Sequence, residues 1–493
     1  MEHTVPKNSK QVDGEIMADR IYPGSMEEAI PDPKRVKEVR KELESKGVKY
    51  LLINWIDLLG QPKTKPTPLD ELEEWCEGRG PQFAVHSVSM VPERGPADPD
   101  QIPIPDLDSL IICPWDRTCA WMFADLYLEN EPYEVCPRLA LKRQVQEAAD
   151  AGYRFMAGLE PEFIVMKYDE FGKPVKAFDN DPHPSTGGIR PARQAWGYDT
   201  EASIDSLPYM REIIEILIEL DWDLHDTVAE GAYSQFELDF GYADLVVTAD
   251  RLTLLRMILK EIAKKHGMFV TYMTKPTQGD WRNAAHINFS AQDVKKPGTN
   301  LFGKRDGPWN DVVWNAVAGI MKHGEALTAM TCPTVTSYKG FVGTARGFEG
   351  GVLTWAPTHV SYGMNNRSSM LRIPQNRKAI ENRACDMTMN FYFGLSMTAA
   401  CVREGMTQKL EPPGPPTNET VYDVPEKKWK KYGIRPLPAT LKDAVTAFDK
   451  DPLAKEVLGA TMHDCYSRYK HDEWGRFHEH ITEWEVEEYL RFF

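Results

Sequence analysis

Gly158-Leu159-Glu160-Pro161-Glu162-Phe163-Ile164-Val165-Met166 is the stretch on which the reading of this chain turns. Side chains of a β-strand repeat every two residues, so Glu160 and Glu162 share a face. Phe155, Phe163, Ile164 and Val165 suit a strand buried over at least part of its surface. Two like charges at ~4 Å cost about 4 kcal/mol at an effective dielectric near 20. Either the pair lies on a solvated strand face, or something positive stands in front of it, divalent metal ions being the first candidate.

The totals narrow the classes of function. A chain of 493 residues can form a large core and two or more domains. Its 42% hydrophobic and 27% charged residues fit a soluble globular enzyme. A formal net charge of −16, with no dense basic stretch, argues against a nucleic-acid partner. ATP is not excluded, because it needs only a few arginines and a metal. Eight cysteines without a Cys-x-x-Cys pattern read as reduced thiols. Met1 to Lys10 is polar, and no apolar run approaches the roughly 20 residues that span a bilayer. The expectation is a cytoplasmic protein with no membrane partner.

Along the chain, residues 1–30 read as an N-terminal extension and 31–135 as a small β-rich domain. Here the pattern predicts a helix from Pro33 to Ser45 capped near Asp32, and a strand from Tyr50 to Ile56. A turn through Asp57-Leu58-Leu59-Gly60 follows, with later strands at Leu110–Cys113 and Ala120–Leu126. Residues 136–493 mix helices and strands, as an α+β catalytic domain would. A helix from Pro137 to Asp150 precedes the Glu160 strand, and residues 169–200 form a surface excursion. Asp205-Ser206-Leu207-Pro208 predicts a helix start with proline in the first turn. A helix near 250–266 and a strand Met268–Tyr272 follow. Trp309–Met330 and Arg383–Arg403 read as two long apolar helices, and charged helices close the chain after Pro412.

Four further clusters carry polar chemistry, each open to two readings. Glu230 and Glu237 are seven residues apart, an odd offset that a turn through Gly231 could bring to one point; otherwise they are unrelated surface acids. His286 and Asn288 share a face of the strand Asn283–Ser290, where histidine is either a ligand or a structural hydrogen-bonding residue. Arg367 and Arg372, in Asn366-Arg367-Ser368-Ser369-Met370-Leu371-Arg372-Ile373-Pro374, either clamp phosphates or pair with nearby acids. Glu381 and Arg383 share a face if extended, as site residues or as an ordinary ion pair. No Gly-x-x-x-x-Gly-Lys-Ser/Thr loop occurs, so any phosphate must be held by metals and arginines.

Taken in order, these clusters resemble the motifs of the glutamine synthetase superfamily over about residues 31–410. The Glu-x-Glu strand, the glutamate pair flanking a glycine turn, the histidine strand, Asn-Arg-Ser-x-x-x-Arg-Ile-Pro and Glu-x-Arg are all matched. The resemblance implies a small N-terminal β-grasp domain and a large catalytic domain with a curved, mainly antiparallel sheet flanked by helices. It also implies a homo-oligomer of two stacked hexameric rings, a dodecamer with active sites between subunits. One metal site would take Glu162, Glu230 and Glu237, and a second Glu160, His286 and Glu381. Oxygen-rich sites of this kind suit Mg²⁺ or Mn²⁺. Arg367 and Arg372 would hold ATP phosphates, with Asn288 and Ser290 on the nucleotide side. Arg383 would sit beside them or on the acid substrate, Tyr198 would line the amine pocket, and Glu349 would lie on the flap over the intermediate.

The match departs from the family at two loops. The loop that supplies an ammonium-handling aspartate looks like Phe83-Ala84-Val85-His86-Ser87-Val88-Ser89-Met90 and contains no carboxylate. His86 is either the base in its place or a structural histidine, and Val85, Val88 and Met90 either suit an amine with a hydrocarbon body or pack a subunit interface. Gly340 stands where the family commonly has an arginine that grips the α-carboxylate of glutamate, and Arg346 is the candidate replacement. The expectation is therefore an ATP-dependent ligase joining the γ-carboxylate of glutamate to a primary amine through γ-glutamyl phosphate. Aniline-type amines stand slightly ahead of alkylamines and polyamines. The rivals are a glutamine synthetase using ammonium and a non-catalytic structural or regulatory relative.

Overall fold

The computed structural model describes residues 21–84, 95–178, 197–277, 281–341 and 355–492. Two large sheets, a two-stranded pairing of His359–Val360 with Arg435–Pro436 and a surrounding shell of helices make up a mixed helix–sheet fold. In the first sheet, of seven strands, Tyr50–Ile56 runs parallel to Cys119–Leu128, which pairs antiparallel with Asp100–Ile112. The helix Pro33–Ser45 begins as its sequence dictates: Asp32 accepts from the Lys34 N–H, and proline occupies the first turn. Asp57 holds the following turn by accepting from the Leu59 and Gln61 amides. At Gly60 (φ 79°) a Cβ would stand 2.8 Å from the Asn390 Cα, so only glycine lets this turn dock on the catalytic part of the chain.

The second sheet, of eleven strands, curls around the site. Its main path runs Leu224–Ala229, Gln235–Phe240, Tyr153–Tyr168, Ala285–Asp293, Ile380–Asn382, Leu371–Ile373 and Tyr362–Met364. The 16-residue strand Tyr153–Tyr168 lies near the middle, with Phe163, Ile164 and Val165 fully buried. Helix Phe391–Gln408 crosses Val312–Lys322 in contact close enough that a Cβ at Gly405 would stand 2.1 Å from the Asn315 carbonyl oxygen.

A buried ion cluster joins the first sheet to two helices. Arg138, from helix Pro137–Asp150, donates to Asp125 at 2.8 Å and Asp106 at 2.7 Å on the first sheet, and to Asp250 on helix Leu245–Lys265. Lys142 joins both sheet carboxylates. All eight cysteines are free thiols, seven of them buried.

Three expected helices differ. The helix expected to start at Asp205 begins at Thr200, because Asp199 caps it by accepting from the Ala202 amide; Pro208 lies inside. The single helix expected over Trp309–Met330 is two, Val312–Lys322 and Gly324–Thr331. His323 breaks it (φ −105°, ψ 12°), held at 2.7 Å by both Asp451 and Glu404. The helix expected from Arg383 starts at Phe391 under an Asn390 cap, since Arg383 continues out of the strand that carries Glu381.

Candidate active site

Strand register brings the sequence clusters together. Across the central strand, Glu160 stands opposite His286 and Glu162 opposite Glu237. One strand further, Asn288 stands opposite Glu381, and Glu381 opposite Arg372. The residues form one row across five neighbouring strands because each alternation places its polar members on the same face. The turn 230–234 returns the chain so that Glu230 and Glu237 flank it. Gly231 is required there: a Cβ would lie 2.4 Å from the Trp281 ring.

Donor atoms of Glu160, His286 and Glu381 all lie within 4.8 Å of one another, as do those of Glu162, Glu237 and His286. His286 therefore reaches both groups, while Glu230, half-buried with its Oε2 accepting from the Gly231 amide, stands outside both.

Charge differs sharply between the two groups. Burial and then the neighbouring Glu230 carboxylate raise Glu162 to about 8, although the Ala284 amide and Gln235 Nε2 both donate to it. Burial and Glu162 push Glu237 well above the usual carboxylate range. Burial also acts against Glu160, yet the His286 hydrogen bond at 3.1 Å, Arg377 and Asn288 overcome it and hold this group at about 2. Burial opposes ionisation of Glu381 too, but Arg383 and the other cations around it bring it below its ordinary value. Burial, then Arg383, lowers His286 and so favours the neutral, ligating imidazole. Oxygen donors around one neutral imidazole, with two carboxylates repelling each other in a buried row, fit divalent cations of the Mg²⁺ or Mn²⁺ kind.

The arginines gather at the Glu381 end. Arg372 Nη1 donates to Glu381 at 2.8 Å, and its other edge is held by Asn365. Arg383 donates to Glu381 at 2.5 Å and to the Arg367 carbonyl at 3.0 Å. Arg367 itself is exposed, its guanidinium 5.7 Å from the Trp355 ring centre. Tyr198 is 82% exposed with φ 62°, its amide donating to the Ala229 carbonyl next to Glu230. Ser290 lies further along the face of Asn288, opposite Met156. His86, Arg346 and Glu349 lie outside the described residues. At Gly340 a Cβ would meet Arg282 Cδ at 3.1 Å, so the buried Arg282 side chain crowds the position where a larger residue was expected.

Sequence reading missed four residues. Arg377 donates to Glu160, Glu381 and Asn288 together. Gln235 binds Glu162, the Arg282 carbonyl and Asn283. Trp281 and Trp355 stand 6.2 Å apart beside Gly231 and Arg367. Arg377 is four residues before Glu381, a spacing that carries no signal in a loop; the tryptophans carry none without the fold.

Residues 134–489 match the model of the glutamine synthetase catalytic domain. The chain belongs to the glutamine synthetase family. Its enzymes are ATP-dependent carbon–nitrogen ligases, and so is this one. Among relatives, a glutamate–methylamine ligase of Methyloversatilis universalis is 31% identical over 92% of this chain and 99% of its own. A glutamine synthetase of Rhizobium leguminosarum bv. phaseoli is 33% identical over 89% of this chain and 96% of its own. A solved structure described as a GmaS/ADP complex superposes with a TM-score of 0.81 at 29% identity, covering 92% of this chain and 99% of that one. Glutamine synthetase-family ligases use ATP and divalent metals, in keeping with the donor groups described above. No helix among the described residues is long and apolar enough to cross a membrane.

Proposed function

We propose that this ligase joins the γ-carboxylate of glutamate to a primary amine with a hydrocarbon body. The observation that carries the proposal is the aromatic wall of Trp281 and Trp355, with Trp281 packed on the turn that carries Glu230. Ammonium has no apolar surface to bury, whereas fully burying a small hydrocarbon group is worth roughly 1.5–3 kcal/mol. The relationship to a glutamate–methylamine ligase supports the same reading. Use of ammonium is the second reading, supported by glutamine synthetases of comparable identity.

A carboxylate oxygen is a poor leaving group, so ATP must first convert it to an acyl phosphate. Glu160, His286 and Glu381, and Glu162 and Glu237 with Glu230 beside them, would hold divalent ions that supply positive charge for the developing phosphate. Arg372 is already oriented by Asn365 and Glu381, so it can meet a phosphate without searching rotamers. Arg367 and Arg383 add positive charge on the same side, and Arg377 presents a further guanidinium beside Asn288. Burial keeps this face dry enough to strengthen each of these contacts. The active unit is proposed to be a ring assembly in which a second copy completes the amine end.

Phosphate release with glutamate, ATP and a panel of ammonium, methylamine, putrescine and aniline tests the proposal. Turnover with a hydrocarbon amine at least tenfold above ammonium is expected, with aniline ahead of the alkylamines. Fast turnover with ammonium alone would sink it.

A further inference from the structure

A second cavity, of about 430 Å³, lies away from the carboxylate row. The turn at Leu58, Leu59 and Gln61, helix Leu245–Lys265 with Tyr272 and Met273 after it, Pro333 and Thr334, the segment Met387–Asn390 and helix Ala460–Glu479 wall it. Its size suits a small ligand, since such pockets span roughly 300–1,000 Å³.

The lining is unbalanced in charge. Arg256, Lys260, Lys470 and Arg476 face it, against the single lining carboxylate of Glu473, which Lys470 engages at 2.8 Å; Arg476 Nε is held by Asp472 at 2.8 Å, which leaves its Nη groups to meet a ligand. Arg256 and Lys260 are one helical turn apart and so share a helix face. Arg256 is only 5% exposed; its Nη2 donates to the Met387 and Met389 carbonyls, while Nε and Nη1 have no hydrogen-bond partner. The neighbouring Asp386 is already taken by Thr274 and Thr388 and lies 3.8 Å from Arg282. Among the described residues no carboxylate forms a salt bridge with Lys260, whose Nζ sits 5.5 Å from the Tyr272 ring centre. Burial lowers Arg256 to about 10, and burial with the Arg256 charge lowers Lys260. The Arg256 guanidinium lies 4.0 Å from the Phe391 ring centre, an aromatic but not an anionic partner; buried cations are ordinarily paired with anions, and an anion entering here would supply that charge. The lining also holds apolar and aromatic groups: Leu58, Leu59, Met273 and the rings of Tyr272 and Tyr469, the Tyr272 ring lying beside Arg256 and Lys260.

We propose that this cavity is a second ligand site, binding a small organic dianion whose phosphate or paired carboxylates meet Arg256, Lys260 and Arg476 while its compact apolar body lies on the tyrosines. The site shares no side chain with the carboxylate row, so it stands whatever amine the ligase uses.

Calorimetric titration of the full chain, without ATP and at fixed ionic strength, tests it with phenyl phosphate, phthalate, inorganic phosphate and phenol. Phenyl phosphate or phthalate is expected to bind one per chain, and whichever binds more tightly identifies the anionic group. Lys260→Gln should weaken that binding at least tenfold, and Lys260→Arg should restore it to within about threefold. Both variants should keep the wild-type nucleotide affinity, which shows that they are folded. The proposal is overturned if no binding event responds to Lys260→Gln, if neither dianion binds, or if inorganic phosphate or phenol binds as tightly as the organic dianions.

Discussion

Asn288 holds Arg377 along one edge of its guanidinium: Oδ1 accepts from Nε at 3.0 Å and from Nη2 at 2.7 Å. The same asparagine donates from Nδ2 to Glu160 at 2.9 Å. One amide thus fixes a cation and a proposed metal ligand relative to each other. Arg377→Ala is expected to raise the Michaelis constant for ATP about tenfold or more, the loss of one or two charge-assisted hydrogen bonds of roughly 1.5–3 kcal/mol. Asn288→Ala should do part of this. The double variant should fall short of the sum, because both changes release the same guanidinium; full additivity would mean that Asn288 does not act through Arg377.

Divalent metal should stabilise the protein through the carboxylate row. Saturating Mn²⁺ at about 100 times its dissociation constant should add about 2.7 kcal/mol, read as a rise in melting temperature. Glu381→Gln and Glu162→Gln should each weaken Mn²⁺ binding at least tenfold by calorimetry. Wild-type affinity in both variants would remove these residues from the metal sites.

The tryptophan wall makes a prediction about specificity. Trp281→Ala should raise the Michaelis constant for a hydrocarbon amine about tenfold while changing that for ATP less than twofold. Gly231→Ala should shift the same constant, because the added methyl collides with the Trp281 ring. Equal effects on every amine, ammonium included, would point to a folding role instead.

Arg138 supplies the stability test. Arg138→Met leaves Asp106 and Asp125 with Lys142 as their bonded cation, and Asp250 with the Tyr392 hydroxyl in place of a cation. Removing one partner from a buried ion cluster typically costs about 3–5 kcal/mol, and urea unfolding should show a loss of that size.

The His323 cluster gives stability a pH dependence. Burial works against its charged form, but hydrogen bonds to Asp451 and Glu404 outweigh this and raise it above its ordinary value of 6.5. A raised folded value means that its contribution is fully present below 6.5 and is lost as pH climbs through the folded value. Glu404 is lowered, because Lys322 and His323 overcome its burial; its contribution is present above 4.5 and lost as pH falls through its folded value. Stability from this cluster should therefore peak between the two ordinary values. His323→Gln should flatten the profile on the alkaline side, measured by urea unfolding at pH 6 and pH 9.

What the sequence determined by itself was local. The shared face of Glu160 and Glu162 follows from a two-residue repeat, and helices Pro33–Ser45 and Pro137–Asp150 follow from caps, proline and glycine close by in the chain. The glutamine synthetase motifs were legible for the same reason, each being a short run of residues on one element. Tertiary structure decided what depends on partners far apart in sequence. His323 breaks a helix because Glu404 and Asp451 reach it from distant segments, and Arg377 joins the site because Glu160, more than two hundred residues earlier, accepts a hydrogen bond from it. Register across three strands, rather than spacing along one, sets Glu162 against Glu237 and Glu160 against His286. A strand pattern fixes which way a carboxylate points; only pairing between strands fixes which carboxylate it faces.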